Sequence, residues 1–286
     1  NVSISESNII IKFNDEGLYN GIINNLQEDY EYQKIDDDYT IEINSSELEK
    51  IKELKLNNLD IADITGLEKF TSLTKLNLRN NYITSISNLT TLKSLETLDV
   101  SHCQLLNTNG IEGMTKLIEV NLYDNYITDF EGLRNIITIE KLIIGENNEK
   151  RKLELTNLDA LSTLTNLTYL DFSENACSDI IDYISNLTKL TFLNIQDNYL
   201  TSANIEDISN LINLEELILY GNNIDSITPL LSLNKLKILK IQKNKLKNLD
   251  GIIVDDELVW PELEMIGVSR NSIPTTDAGI IFLIDL

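Results

Sequence analysis

The stretch that decides the fold is Leu73-Thr74-Lys75-Leu76-Asn77-Leu78-Arg79-Asn80-Asn81-Tyr82-Ile83. Its apolar positions are the first, fourth, sixth and eleventh, with Asn at the ninth. The alternation at the fourth, fifth and sixth positions is the period of a short strand with one face inward. The ninth-position Asn turns the chain out of that strand, and its amide can satisfy backbone groups in the turn. The pattern returns from Leu117 as Leu117, Val120, Leu122, Asn125 and Ile127, and again from Leu167, Leu190, Leu214, Leu236 and Leu263. Ile139 opens another copy, with Leu142, Ile144 and Asn147. Leu95 opens one in which Cys103 stands for the Asn, and Ile51 opens the first, where Leu59 does. About ten copies cover residues 51–286, most often 22 residues apart.

One such unit cannot bury its own apolar face, so neighbours must stack. Parallel strands then form a sheet, and Asn81, Asn125, Asn147, Asn175, Asn198, Asn222, Asn244 and Asn271 line up as a ladder. Cys103 and Leu59 are expected to break it and fill the space with apolar volume. Behind the sheet, Ile86, Leu89 and Leu92 recur every third residue, as do Ile227, Leu230 and Leu233. That spacing predicts short 3₁₀ turns on the convex side. Two repeats are long, with about six extra residues near Asn147–Lys152 and about five near Val254–Glu257, both expected as loops beside the sheet.

Leucine-rich repeats of this length resemble those of the internalins and of the phosphatase-one regulatory subunit. The first fifty residues lean to the former. Phe13, Asn14 and Asp15, followed by Leu18, Ile22 and Leu26, read as a capped amphipathic helix. Tyr39-Thr40-Ile41-Glu42-Ile43 and the helical Ser46–Ile51 then lead into the first repeat. This is similar to the N-terminal cap of bacterial internalin-like surface proteins. The expected architecture is an α/β leucine-rich repeat solenoid, with a curved parallel sheet on the concave face, 3₁₀ or short helices on the convex face, and an N-terminal helical cap. The cap is placed at residues 1–50 and the repeats at 51–286. Internalins are secreted or wall-attached and bind host proteins on the concave sheet, so the resemblance implies that mode of use. There is no wall-sorting motif and no immunoglobulin-like segment after the repeats.

Register converts the repeat into a surface, because the third, fifth and seventh positions face the concave side. The first three repeats present Glu53, Lys55, Asn57, Lys75, Asn77, Arg79, Thr97, Asp99 and Ser101, all polar. From the fourth repeat onward Tyr123, Ile143, Tyr169, Phe192, Ile218, Tyr220, Ile238 and Met265 appear in turn. Scattered apolar surface is ordinary. A contiguous aromatic-rich band marks an interaction site, with Glu119, Asp171, Glu216 and Lys240 as polar contacts around it.

The chain has 46 acidic and 23 basic side chains, a net charge of −23, and 42% hydrophobic residues. Such a charge repels phosphate backbones and anionic lipid, so nucleic acid is not an expected partner. It favours solubility and steers a basic partner. No apolar run reaches the ~20 residues of a membrane span. Gly279–Ile284 is apolar and far too short. The chain opens at Asn1, in the manner of a trimmed or mature protein, which leaves room for a removed leader or an anchor beyond Leu286. Cys103 and Cys177 lie three repeats apart at inward positions, roughly 14 Å by strand spacing. A disulfide needs Cα atoms within about 7 Å, so both read as buried thiols.

No catalytic set assembles. His102 is the only histidine, and it cannot make a zinc site alone. His102, Asp99 and Ser101 sit too close in one strand for triad geometry. Asp36-Asp37-Asp38 lacks the spaced ligands and closing Glu of a calcium loop. Lys150-Arg151-Lys152, the one basic cluster, reads as a solvated loop. Asn-Leu-Thr at Asn88, Asn166 and Asn186 matches a glycosylation acceptor, and its Leu also fits the repeat. The expectation is a non-enzymatic binding module without cofactor, extracellular or at the cell surface. Its partner would be a protein, a host receptor among the candidates, or a surface polymer. The alternative is a cytoplasmic scaffold of the phosphatase-regulating kind.

Overall fold

The computed structural model describes residues 7–27, 29–35, 38–148 and 153–274. Two compact units make it up, residues 1–139 and 140–286. The fold is a leucine-rich repeat solenoid.

The first unit opens with β1 (Asn8–Lys12), α1 (Glu16–Leu26), β2 (Tyr32–Ile35), β3 (Thr40–Asn44) and α2 (Ser45–Lys50). α1 is the helix expected from Leu18, Ile22 and Leu26, all fully buried. The Asp15 carboxylate caps it by accepting from Leu18 N at 2.9 Å. Its other oxygen accepts from Ala62 N at 2.9 Å and so ties the helix to the first repeat. β1 and β2 flank β3 in an antiparallel sheet that the sequence reading did not foresee. The cap therefore combines two helices with a three-stranded sheet rather than helices alone.

Four parallel strands follow: β4 (Glu53–Lys55), β5 (Lys75–Asn77), β6 (Thr97–Asp99) and β7 (Glu119–Asn121). β4 is the first of the ladder, and an unpaired edge invites wrong pairing. Here α1 covers it. Asn25 Nδ2 donates to Lys55 O and Asn25 Oδ1 accepts from Lys55 N, both at 2.9 Å, so one amide imitates a neighbouring strand. The close approach of α1 to the first repeat needs Gly17, because a Cβ there would lie 2.2 Å from the backbone oxygen of Leu59.

The second unit carries β8 (Lys141–Ile143), β9 (Tyr169–Asp171), β10 (Phe192–Asn194), β11 (Glu216–Ile218) and β12 (Ile238–Lys240). The short helix α3 (Ile180–Ile184) follows β9, and β12 pairs with β15 (Met265–Gly267) in the same parallel sheet. β13 (Ile253–Val254) and β14 (Glu257–Leu258) form a hairpin from the insertion expected there. Trp260 follows it fully buried and donates from Nε1 to Leu230 O at 3.1 Å. The insertion after Asn147 is described only to Asn148, whose amide bridges forward to both N and O of Leu153. The Lys150–Lys152 cluster and Asp36-Asp37 lie outside the described residues.

The returning segments are 3₁₀ where the three-residue spacing predicted it, at Ser87–Thr91 and Thr228–Leu230 among others. The Asn ladder is built. Asn222 Oδ1 accepts from Asn198 N and Leu200 N at 3.0 Å each, while Nδ2 donates to Ile195 O and Leu219 O. Asn81 makes the same four bonds in the first unit. Cys103 departs from expectation. Its thiol points at Leu78 O (3.5 Å) and Ser101 O (3.7 Å), so it keeps a weak version of the amide's donor role instead of breaking the ladder outright. The eighth position of every repeat, from Asn58 and Asn80 to Lys243 and Arg270, has positive φ, with Gly221 the single glycine among them.

Candidate functional site

In the second unit, register sorts the exposed sheet face into rows. The third-position row runs Lys141, Tyr169, Phe192, Glu216, Ile238, Met265. The fifth-position row runs Ile143, Asp171, Asn194, Ile218, Lys240, Gly267. Tyr220 holds a seventh position. The apolar side chains are thus staggered across rows rather than continuous, and Glu216 separates Phe192 from Ile238. Ile143, Tyr169, Phe192, Ile218, Tyr220, Ile238 and Met265 are all half-buried.

Two of them form a stacked pair. The rings of Tyr169 and Phe192 stack with centroids 4.0 Å apart and planes 1° apart. Lys141 Nζ sits 5.4 Å from the Tyr169 centroid. Burial raises the Tyr169 phenol above its ordinary range, and repulsion from Asp171 and Glu216 adds to the shift. Lys240 Nζ pairs with Glu216 at 3.0 Å. Asp171 accepts from Ser173 N and Oγ and from Asn194 Nδ2. Part of that is structural duty, since Asn77, Asp99, Asn121 and Asn194 also accept from the amide two residues on, turning the chain out of the strand.

Tyr220 has its own cation, with Lys243 Nζ 5.3 Å from the ring. Lys243 also reaches Asp197 at 3.4 Å. This contact crosses an intervening repeat and depends on Gly221, where a Cβ would fall 2.0 Å from Asp197 Oδ1. The cation–aromatic pairs were not legible from the repeat pattern, because it orders positions within a repeat and not which side chains of neighbouring repeats meet.

Tyr123 lies in the first unit. Its ring meets His102 edge-on at 5.5 Å, and His102 Nδ1 is 2.8 Å from Asp124 Oδ2. Ser101 is fully buried and donates to Asp99 at 2.6 Å, so Ser101, Asp99 and His102 do not form a relay. The rest of that unit's face is polar, with a depression of about 200 Å³ lined by Lys75, Asn77, Thr97, Asp99, Glu119 and Asn121 among others. Both thiols are buried and unpaired. Burial pushes Cys103 up to about 11 and raises Cys177 further, helped by Asp179. Among the described residues no cluster of His, Cys, Asp or Glu is arranged to hold a metal ion, and no helix is long and apolar enough to cross a membrane.

Solved structures share this arrangement. An internalin (InlF) from Listeria monocytogenes superposes with a TM-score of 0.72 at 28% identity, over 91% of this chain and 77% of its own. This is an internalin-like leucine-rich repeat protein. Internalin C2 from the same organism matches the internalin-like chain with a TM-score of 0.64 at 23% identity, covering 90% and 94%. The functional domain of Listeria monocytogenes InlJ, which includes a cysteine ladder, matches at 0.66 and 25%, covering 85% of this chain and 49% of that one. Residues 40–147 match the leucine-rich repeat domain of the endo-β-N-acetylglucosaminidase EndoS. No curated protein matches the internalin-like chain in sequence.

Proposed function

We propose that the chain is a non-enzymatic protein-binding module, secreted or displayed on a bacterial surface, that holds its partner on the exposed face of the repeat sheet. The observation that carries this is the stacked Tyr169–Phe192 pair. Aromatic side chains already ordered before binding lose little entropy on contact, which is what makes such residues effective anchors. Ile143, Ile218, Tyr220 and Ile238 supply further contacts on the same unit's exposed face, and Tyr123 is a contact on the first unit's face. The partner is a protein, a host receptor being one candidate, or a surface polymer. Free, buried Cys103 and Cys177 favour a second reading, a cytoplasmic scaffold, equally well.

The test is capture of a partner from host-cell surface extract by wild type and by the Tyr169→Ala, Phe192→Ala double variant. Each anchor is expected to contribute about 1–4 kcal/mol, so the double variant loses the partner while keeping its far-ultraviolet spectrum. Equal capture by both proteins refutes the site. Capture confined to cytosolic extract favours the scaffold.

A further inference from the structure

The sheet face of the second unit offers a place for one particular side chain. Tyr169 has Lys141 over one face and Phe192 on the other, so both its faces are taken. Phe192 has only one face on Tyr169. Register sets Glu216 on the side of Phe192 away from Tyr169. Glu216 reaches toward Lys240 of the following strand, 3.0 Å away, so a group laid over Phe192 from that side would meet the ring and the carboxylate together.

The protein's own cations show what that environment attracts. Lys141 lies over Tyr169, Lys240 is 3.0 Å from Glu216, and Lys243 lies over Tyr220 while reaching Asp197. On this face two aromatic rings, Tyr169 and Tyr220, and two carboxylates, Glu216 and Asp197, are thus already paired with ammonium groups. The net charge of −23 draws in partners of opposite sign. A guanidinium is the group that uses both walls, because its plane stacks on a ring and its fork pairs with a carboxylate in two parallel hydrogen bonds. An ammonium can satisfy only one wall well.

Resting on the binding-face reading above, we propose that the partner is a basic protein segment that inserts an arginine between Phe192 and Glu216, displacing Lys240 from its ion pair. The two walls act together. The ring contributes without regard to salt, and the carboxylate contribution weakens as salt rises.

The experiment titrates the intact chain with a fluorescein-labelled hexapeptide of alternating Arg and Gly, and with its Lys and citrulline counterparts. The Arg peptide is expected to bind, the Lys peptide more weakly, and the uncharged citrulline peptide not at all. Phe192→Ala and Glu216→Gln are each expected to weaken the Arg peptide by about tenfold. Phe192→Leu keeps apolar volume without the π face and is expected to lose as much as Phe192→Ala, which separates ring contact from packing. Glu206→Gln with Asp207→Asn removes two exposed charges from the 3₁₀ segment behind the sheet, and is expected to stay within about twofold of wild type. An equal loss in that control, or no loss in the face variants, overturns the proposal. If the peptide ignores the face while Tyr169→Ala, Phe192→Ala still abolishes capture of the surface partner, the binding face stands and the arginine assignment falls. If neither changes, both fall.

Discussion

Replacing Asn222 by Ala tests whether the ladder holds the repeats together. Asn222 is 5% exposed and makes four short bonds. Its Oδ1 accepts from Asn198 N and Leu200 N, and its Nδ2 donates to Ile195 O and Leu219 O. Leu219 O keeps a second donor, Asn244 Nδ2 at 2.9 Å, so it is not stranded by the change. Two backbone amides and one carbonyl lose the partner named here. Each buried, unsatisfied group costs about 1–3 kcal/mol, so three give about 3–9 kcal/mol, and at the lower end of that range the variant should lose about 3–5 kcal/mol. Asn222→Cys should fall between Ala and wild type, since Cys103 shows a thiol reaching two carbonyls from this position. Trp260, the only tryptophan, is buried in the same unit and reports its unfolding by fluorescence during a urea titration. The Ala variant should shift that midpoint by about 1–2 M. A loss below about 1 kcal/mol would falsify the view that this amide stabilises its turn through its hydrogen bonds.

Gly221→Ala should cost about 1–2 kcal/mol, because an alanine at φ +70° is strained and its Cβ meets the Asp197 carboxylate. The same variant should break the Asp197–Lys243 contact, visible as the loss of that ion pair in a crystal structure of the variant. The two thiols should resist an aromatic disulfide reagent at pH 8 in the folded protein and react in urea. Folding binds the Cys103 proton more tightly, so that contribution to stability is complete below the unfolded thiol's pKa of about 8.5. It is lost as pH climbs to about 11, the folded value. The urea midpoint should therefore fall over that window by more in wild type than in Cys103→Ala, Cys177→Ala. An identical fall in both proteins would show that other groups account for it.

The residues that reason well from sequence here are those whose job repeats. Leu76, Leu98 and Leu142 are buried strand centres because period-two alternation leaves them no other face. Asn198 and Asn222 were legible as ladder members because buried amides must be bonded, and neighbours at a fixed period can do it. The helix at Leu18, Ile22 and Leu26 was legible from its four-residue spacing and the Asp15 cap. β1 and β2 were not. β1 presents one strongly buried residue, Ile11, and β2 none, so neither carried the alternation of a half-buried strand. Asn25 was equally silent, since nothing local marks an amide that will bond a strand some thirty residues away.

The candidate site divides in the same way. Which side chains leave the sheet on the exposed face follows from register within one repeat. Which of them touch depends on the row each occupies and on the side chains of the next strand. Tyr169 and Phe192 share a row and stack, while Ile218 and Tyr220 stand in other rows beside Asn194 and Lys243. From the order of residues alone, the repeat, its buried ladder and the side chains on the exposed sheet face were determined, because each depends on a local pattern that stacking only reiterates. The stacked pair, the cation over it and the Lys240–Glu216 pair beyond Phe192 were decided by tertiary structure, because they arise between strands whose side chains meet only once the repeats are in register.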